Sequence, residues 1–331
     1  MSGITTFSPE QYKEAAVKFR GPLLKIPSLA VKDQLRYMTP RLGVRGTELV
    51  GSANARVQLH PYKAGKRQDA NLDVKLRPLT TYFGSCNADF EPNSAISTIL
   101  GHRAAQAMGD PLKNTPTAQD VIALTGKGVG EDLGYALWSG MRNEEGETTA
   151  DLFDGFDTIT AAEIAAGNIS EANKNLRKVP AITKINAVDV LKSAVFAMHP
   201  LLRREKCFLY CSPEVADAYN EAYLMSHAGI SYNETYDQPY VEGSAKKVTI
   251  VALPEKAGSR YIQICPASNM LVGMDQMSDQ ERINVEKYGP DVLTLEMRLF
   301  WGVQFESIDP RRMLVLEMPE GAAAPDAYDA A

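Results

Sequence analysis

Residues 54–77, NARVQLHPYKAGKRQDANLDVKLR, constrain this chain more than any other stretch. Val57 and Leu59 alternate with Arg56, Gln58 and His60, and Leu72, Val74 and Leu76 alternate with Asp73, Lys75 and Arg77. Two period-two runs around a polar, basic tip (KAGKRQD) predict a long antiparallel hairpin. A lone two-stranded hairpin is at best marginally stable in water. Its apolar stripe therefore has to lie on other protein, either the body of its own chain or a neighbouring copy. The stretch points to assembly.

Charge is spread unevenly along the 331 residues. Residues 1–80 carry 14 Lys/Arg against 6 Asp/Glu, and the other 251 carry 21 against 35, for a net charge of −6. A basic leading segment on an acidic body suits nucleic-acid binding, subunits that dock arm to body, or simple uneven solvation. The hairpin tip has no interleaved aromatics on which bases would stack, which favours protein as the partner. No run approaches the roughly 18 apolar residues of a membrane span. The N-terminus lacks a basic-then-apolar signal pattern, so a cytoplasmic protein is expected. Cys86, Cys207, Cys211 and Cys265 form no CxxC pair, and in a reducing compartment they read as small buried hydrophobes.

Along the chain, Ser8-Pro9-Glu10-Gln11 reads as a helix start, with the helix running to about Arg20 and stopping at Gly21-Pro22. A longer helix opens at Thr117 with Val121, Leu124, Leu133 and Leu137 on one face; the glycines of GKGVG (126–130) are expected to bend or break it. Residues 151–160, DLFDGFDTIT, read as an acidic turn. Strands are expected at Cys207–Tyr210, Val248–Leu253 and Tyr261–Cys265, and a helix capped by Ser212-Pro213-Glu214 ends near Gly229. Residues 292–318 alternate strongly and read as closing strands broken at Gly302 and Pro310. The tail PEGAAAPDAYDAA cannot form a core.

The search for an active site yields no catalytic, cofactor-binding or metal-ligating residues. Gly128, Gly130 and Gly134 have the wrong spacing for a dinucleotide fingerprint and follow a helix where a strand is required. Asp151, Asp154 and Asp157 stand three apart, unlike the alternate acids of a calcium loop. His60, His102, His199 and His227 are scattered, with no HExxH. Asp275, Asp279, Glu281 and Glu286 read as a solvated face.

The order of elements resembles the Hong Kong 97-type major capsid fold of tailed bacteriophages, which encapsulins share. The capped helix at 8–20 is similar to that family's arm, the basic hairpin to its E-loop, and the helix at 117–139 to its spine. ALWSGMRNEEGETTADLFDGFDTI (136–159) is similar to the stretch where a helix ends in a glycine-containing loop leading to G-[LF] and a strand. RYIQICPASNMLVGMD (260–275) resembles the stretch where a strand ends at Pro and Asn-Met-x-x-Gly-x-Asp follows. The closing strands with Gly302 and Phe305 match the P-domain closure.

The resemblance spans nearly the whole chain. It implies an α+β protein with an arm at 1–47, an E-loop hairpin at 48–90, a P-domain with spine helix at 91–183, an A-domain at 184–291, closing P-domain strands at 292–318 and a tail at 319–331. It further implies a structural protein, without cofactor or membrane, whose main partner is itself in the hexamers and pentamers of an icosahedral shell. Scaffold, portal and decoration proteins are further candidate partners, and double-stranded DNA is enclosed without sequence-specific binding. The setting implied is a virion capsid assembled in a bacterial cytoplasm. Lys63, Lys66 and Arg67 at the hairpin tip are the expected intersubunit contacts. The competing readings are an encapsulin-like compartment, a cytoplasmic enzyme without a readable motif, and a nucleic-acid-binding protein using residues 1–80.

Overall fold

The computed structural model describes residues 31–56, 61–63, 71–90, 118–226, 239–275, 283–287 and 293–320. The helix expected at 8–20, the hairpin residues Val57, Leu59, Lys66 and Arg67, and most of the tail lie outside them.

Two five-stranded sheets and a two-stranded ribbon carry the described chain. The ribbon pairs β2 (Thr47–Arg56) with β3 (Asn71–Thr80) antiparallel over ten residues each. The hairpin thus exists, with its strands reaching further from the tip than the alternation at 54–77 suggested. In the first sheet, β11 (Leu293–Phe305) is the axis. Trp301 pairs with both Tyr82 of β4 (Tyr82–Phe90) and Met274 of β9 (Met270–Met274), and Met297 with both Cys86 of β4 and Ile283 of β10 (Ile283–Lys287). So β4 flanks one edge of β11, and β9 and β10 succeed one another along the other. β1 (Thr39–Leu42) adds in parallel to β9, after the short helix α1 (Lys32–Leu35).

β11 runs unbroken through Gly302, contrary to the expected interruption. A Cβ at 302 would lie 2.0 Å from the Thr80 carbonyl oxygen, so glycine is there because the end of the hairpin crosses the strand at backbone contact.

The second sheet has the order β5-β12-β8-β6-β7, formed by Leu176–Lys178, Leu314–Glu317, Tyr261–Cys265, Cys207–Cys211 and Val248–Ala252. Successive side chains of a strand point to opposite faces, and here each face has its own core. Cys207, Leu209, Cys211, Ile262, Ile264, Leu314 and Leu316 face the helices α4 (Ala187–Ala197) and α5 (Pro213–Ser226). Tyr210, Tyr261, Cys265 and Val315 join the other core, with Trp138, Phe156, Trp301 and Phe305. Burial on both sides explains why CFLYC reads as a continuous apolar run and YIQIC as one interrupted only by Gln263, which is buried with hydrogen bonds to Lys256 and Asp157.

The helix α2 (Ala118–Ser139) is continuous through Gly126, Gly128 and Gly130, so the expected break does not occur. Packing of Leu133, Ala136, Leu137 and Trp138 into the core outweighs a glycine penalty of about 0.5–1 kcal/mol per residue. Residues 156–165 also depart from expectation: Phe156–Ala165 is a helix, α3, where a turn leading to a strand was read. Phe156 and Thr160 fall one turn apart and are fully buried, and Thr160 Oγ1 satisfies itself on the Phe156 carbonyl at 2.7 Å. α5 begins at Pro213 as expected, although the buried Ser212 hydroxyl finds no hydrogen-bond partner among the described residues and does not act as a cap.

Candidate intersubunit surface

Directly opposed residues of an antiparallel pair share a face, so the β2–β3 register divides the hairpin cleanly. Glu48, Val50 and Ser52 lie with Leu79, Arg77 and Lys75 on one face, and Leu49, Gly51 and Ala53 with Pro78, Leu76 and Val74 on the other. The first face docks on the body. Val50 and Leu79 are buried against Leu271 of β9, and Ser52 Oγ donates to Ser307 Oγ at 3.1 Å. Arg77 donates to Glu163 of α3 at 2.5 Å and to Gln304 of β11 at 3.1 Å.

The second face is bare. Leu49 is 64% exposed, Leu76 59% and Val74 49%. Of the apolar stripe read from the sequence, Val74 and Leu76 are exposed and the described body does not cover them, while Val57 and Leu59 lie outside the described residues. Three large aliphatic side chains close together on one face of the ribbon are an apolar patch, a feature that marks interaction sites on soluble proteins.

The basic segment is partly spent inside the subunit. Arg77 is tied to Glu163 with only 15% of its side chain exposed, and Arg45 pairs with Asp275 at 2.5 Å. Neither is free for phosphates. Of the three tip residues singled out, Lys63 is exposed beside Tyr62, which is 93% exposed; Lys66 and Arg67 lie outside the described residues.

The candidate catalytic and metal-binding patterns do not converge. Asp151 accepts from the Thr148 amide and hydroxyl, which hold its carboxyl below the usual range. Asp154 accepts from the Arg142 amide at 2.9 Å, and Asp157 is engaged by Lys256 at 2.7 Å. Among the described residues no cluster of His, Cys, Asp and Glu has the makings of a metal site. A cleft of about 620 Å³ opens between β4, α2 and the 142–152 loop. It contains Cys86, whose thiol burial pushes up, away from a reactive thiolate. Burial likewise pushes Cys207 and Cys211 up to about 12.

No family model matches the chain, and no curated protein matches it. Solved structures do. A chain of the satellite phage P4 procapsid that includes the size determination (Sid) protein superposes with a TM-score of 0.56 at 11% identity, covering 90% of this chain and 92% of that one. The described protein has a Hong Kong 97-type shell fold. The capsid of the native GTA particle matches this Hong Kong 97-type chain with a TM-score of 0.51 at 13% identity, over 87% of it and 90% of the GTA chain. The cyanophage A-1(L) capsid matches with a TM-score of 0.50 at 13% identity, over 89% and 92%. Identities this low leave few shared side chains, so the likeness lies in the path of the backbone.

Sequence reasoning identified the hairpin but not which of its faces is bare. Alternation separates the two faces of a ribbon, but no local signal says which one the body covers, because that depends on partners distant in the chain.

Proposed function

We propose that this chain is the major capsid protein of a tailed bacteriophage, a structural subunit with no catalytic role that self-assembles into an icosahedral shell around double-stranded DNA. The single observation that carries the reading is the bare apolar face of a hairpin whose other face is bolted to the body, in a chain with a shell fold. The segment 48–90 then acts as the E-loop, its β2–β3 ribbon lying on the next subunit of a hexamer or pentamer while β4 roots it in the first sheet. Residues 1–47 act as the arm, 91–183 with 292–318 as the P-domain, 184–291 as the A-domain and 319–331 as a tail. Lys63, Lys66 and Arg67 meet acidic groups of the neighbour, a supply the acidic body offers in excess. Scaffold, portal and decoration proteins complete the partners, and the place of work is a virion capsid built in a bacterial cytoplasm.

Expression of the full chain followed by negative-stain microscopy tests the reading. Closed shells or capsomer rings are expected. Small discrete particles at every concentration overturn it, and shells that hold a protein cargo and no DNA assign an encapsulin-like compartment in its place.

A further inference from the structure

The two parallel strands β6 and β7 begin side by side, with Cys207 opposite Val248 and the Cys207 amide donating to the Lys247 carbonyl at 2.9 Å. The loops that lead into them therefore meet at one end of the second sheet. They bring together Arg203, Arg204, Lys206, Lys246 and Lys247, residues up to 44 positions apart in the chain. Four of the five are exposed and Lys247 is half-buried. Glu205, the acid among them, is committed to Arg312 at 3.2 Å. Among the described residues no carboxylate pairs with any of the five. This is a concentrated positive rim on the portion of the chain, residues 81–331, that carries 21 basic residues against 35 acidic ones.

The rim is built, not merely populated. Lys247 Nζ donates to the Arg204 carbonyl at 2.9 Å, joining the two loops. The Arg203 guanidinium lies over the Phe196 ring at 5.4 Å and the Lys206 ammonium over the Phe208 ring at 5.7 Å, contacts that fix where the two charges sit. Gly243, Ala245 and Lys246 all take positive φ, at 78°, 53° and 62°. Left-handed backbone at a non-glycine residue is uncommon and costs free energy, and it concentrates where a functional geometry requires it. Between the loops lies a pocket of about 120 Å³ lined by Arg203, Lys247 and residues 243–245, together with Val195 and Met198.

We propose that this rim contacts the phosphate backbone of the enclosed DNA, and so lies on the lumenal side of the shell. The inference rests on the capsid reading. Five unpaired cations in two adjoining loops match a polyanion with one charge per about 1.7 Å of duplex axis. The acidic body of a neighbouring copy is the alternative occupant, and the assembly arm of the test separates the two. A handful of phosphate contacts per subunit is weak alone, which lets packaged DNA move, and it is multiplied by the number of subunits. The rim carries no base-reading geometry, so the contact is independent of sequence.

The test compares the full chain with the Arg204→Glu/Lys246→Glu variant, both as unassembled subunits below the concentration that forms particles, in binding a mixed-sequence 30-base-pair duplex across a salt series, with particle formation at higher concentration followed separately by microscopy. Each lost phosphate contact should flatten the slope of log affinity against log salt by about 0.9, so a fall of nearly two in slope and at least tenfold in affinity is expected at low salt. Shells should still form. Unchanged duplex binding with normal shells overturns the rim proposal and leaves the capsid reading standing. Unchanged duplex binding with failed assembly also overturns it and assigns the rim to a neighbouring subunit. Absence of shells from the unmodified chain speaks against the capsid reading itself, and in that case the salt slope still reports the rim.

Discussion

Lys256 Nζ lies 2.7 Å from Asp157 Oδ1, with the lysine side chain wholly out of solvent. Gln263 Oε1 accepts a second hydrogen bond from the ammonium at 2.6 Å, and the Trp138 ring lies 4.4 Å beneath it. Asp157 Oδ2 accepts from Ser259 at 2.6 Å. The group ties α3 to the second sheet beside the helix α2. Burial pushes the lysine down from its ordinary range, and the Asp157 carboxylate opposes that shift.

Removing one partner of a buried pair strands the other, at a typical cost of about 3–5 kcal/mol. Asp157→Ala should therefore lower the urea midpoint severely. Lys256→Met should cost less, because Asp157 keeps its bonds from Gln263 and Ser259 and is itself partly exposed. Equal losses for the two variants would show that the ammonium is not the stranded group.

That network was not legible in the sequence, where Lys256 sits in a PEKAG turn 99 residues from Asp157 and reads as a surface lysine. The strands of the second sheet were legible, because double-sided burial writes itself as an unbroken apolar run in CFLYC and as a run broken only by Gln263 in YIQIC. α3 was not, since its buried Thr160 is polar and becomes buriable only through its bond to the Phe156 carbonyl. Gly302 reads as a breaker until Thr80 is seen lying on it. At the candidate surface, alternation disclosed the hairpin, but which face is bare depends on Leu271, Glu163, Gln304 and Ser307, all distant in the chain.

Alkaline pH should destabilise the fold through its buried thiols. Folded Cys207 and Cys211 titrate at about 12 and Cys265 is raised as well, whereas the unfolded chain releases these protons near the ordinary value of 9.0. The folded state then binds more protons above pH 9. Stability is full below that value and falls as pH rises toward 12, at about 1.4 kcal/mol per pH unit for each thiol. Lys256 acts in the opposite sense up to its ordinary 10.5, but as one group against four raised thiols and, above pH 10, the raised phenols of Tyr210 and Tyr219. Thermal unfolding from pH 7 to 11 should show the fall, and Cys211→Ala should flatten it. A profile rising above pH 9 contradicts the thiol assignment.

Gly302→Ala should be severe for a single methyl group. Its Cβ would stand 2.0 Å from the Thr80 oxygen, a backbone atom at the foot of the hairpin that cannot swing aside as a side chain can. Overpacking in yielding sites costs about 1–3 kcal/mol, and this site should lie at or above the top of that range. Guanidinium unfolding of the soluble variant gives the figure, and a loss under 1 kcal/mol would mean the hairpin foot moves freely.

Gly128→Ala should stabilise. The helix is continuous there, and an added Cβ meets nothing within 4 Å. Alanine in a helix interior gains about 0.5–1 kcal/mol over glycine. A measured loss of that size would restore the bend that the glycines first suggested.

The bare face of the hairpin separates folding from assembly. Leu49 and Leu76 already lie mostly in solvent in the isolated subunit, so Leu49→Asp/Leu76→Asp should leave its unfolding temperature nearly unchanged; exposed substitutions usually stay within about 0.5 kcal/mol. On a neighbouring subunit each leucine would bury up to about 1.5–3 kcal/mol of side chain, and in a closed shell the loss recurs at every interface. Light scattering should find the double variant unable to form particles at concentrations where the parent does. The tip variant Lys63→Glu/Lys66→Glu/Arg67→Glu should have a smaller effect of the same sign, because exposed ion pairs are worth only about 0–1 kcal/mol each. Normal particles from the leucine variant would place the bare face outside every subunit interface. An unfolded leucine variant would mean that the face is covered by this chain's own residues.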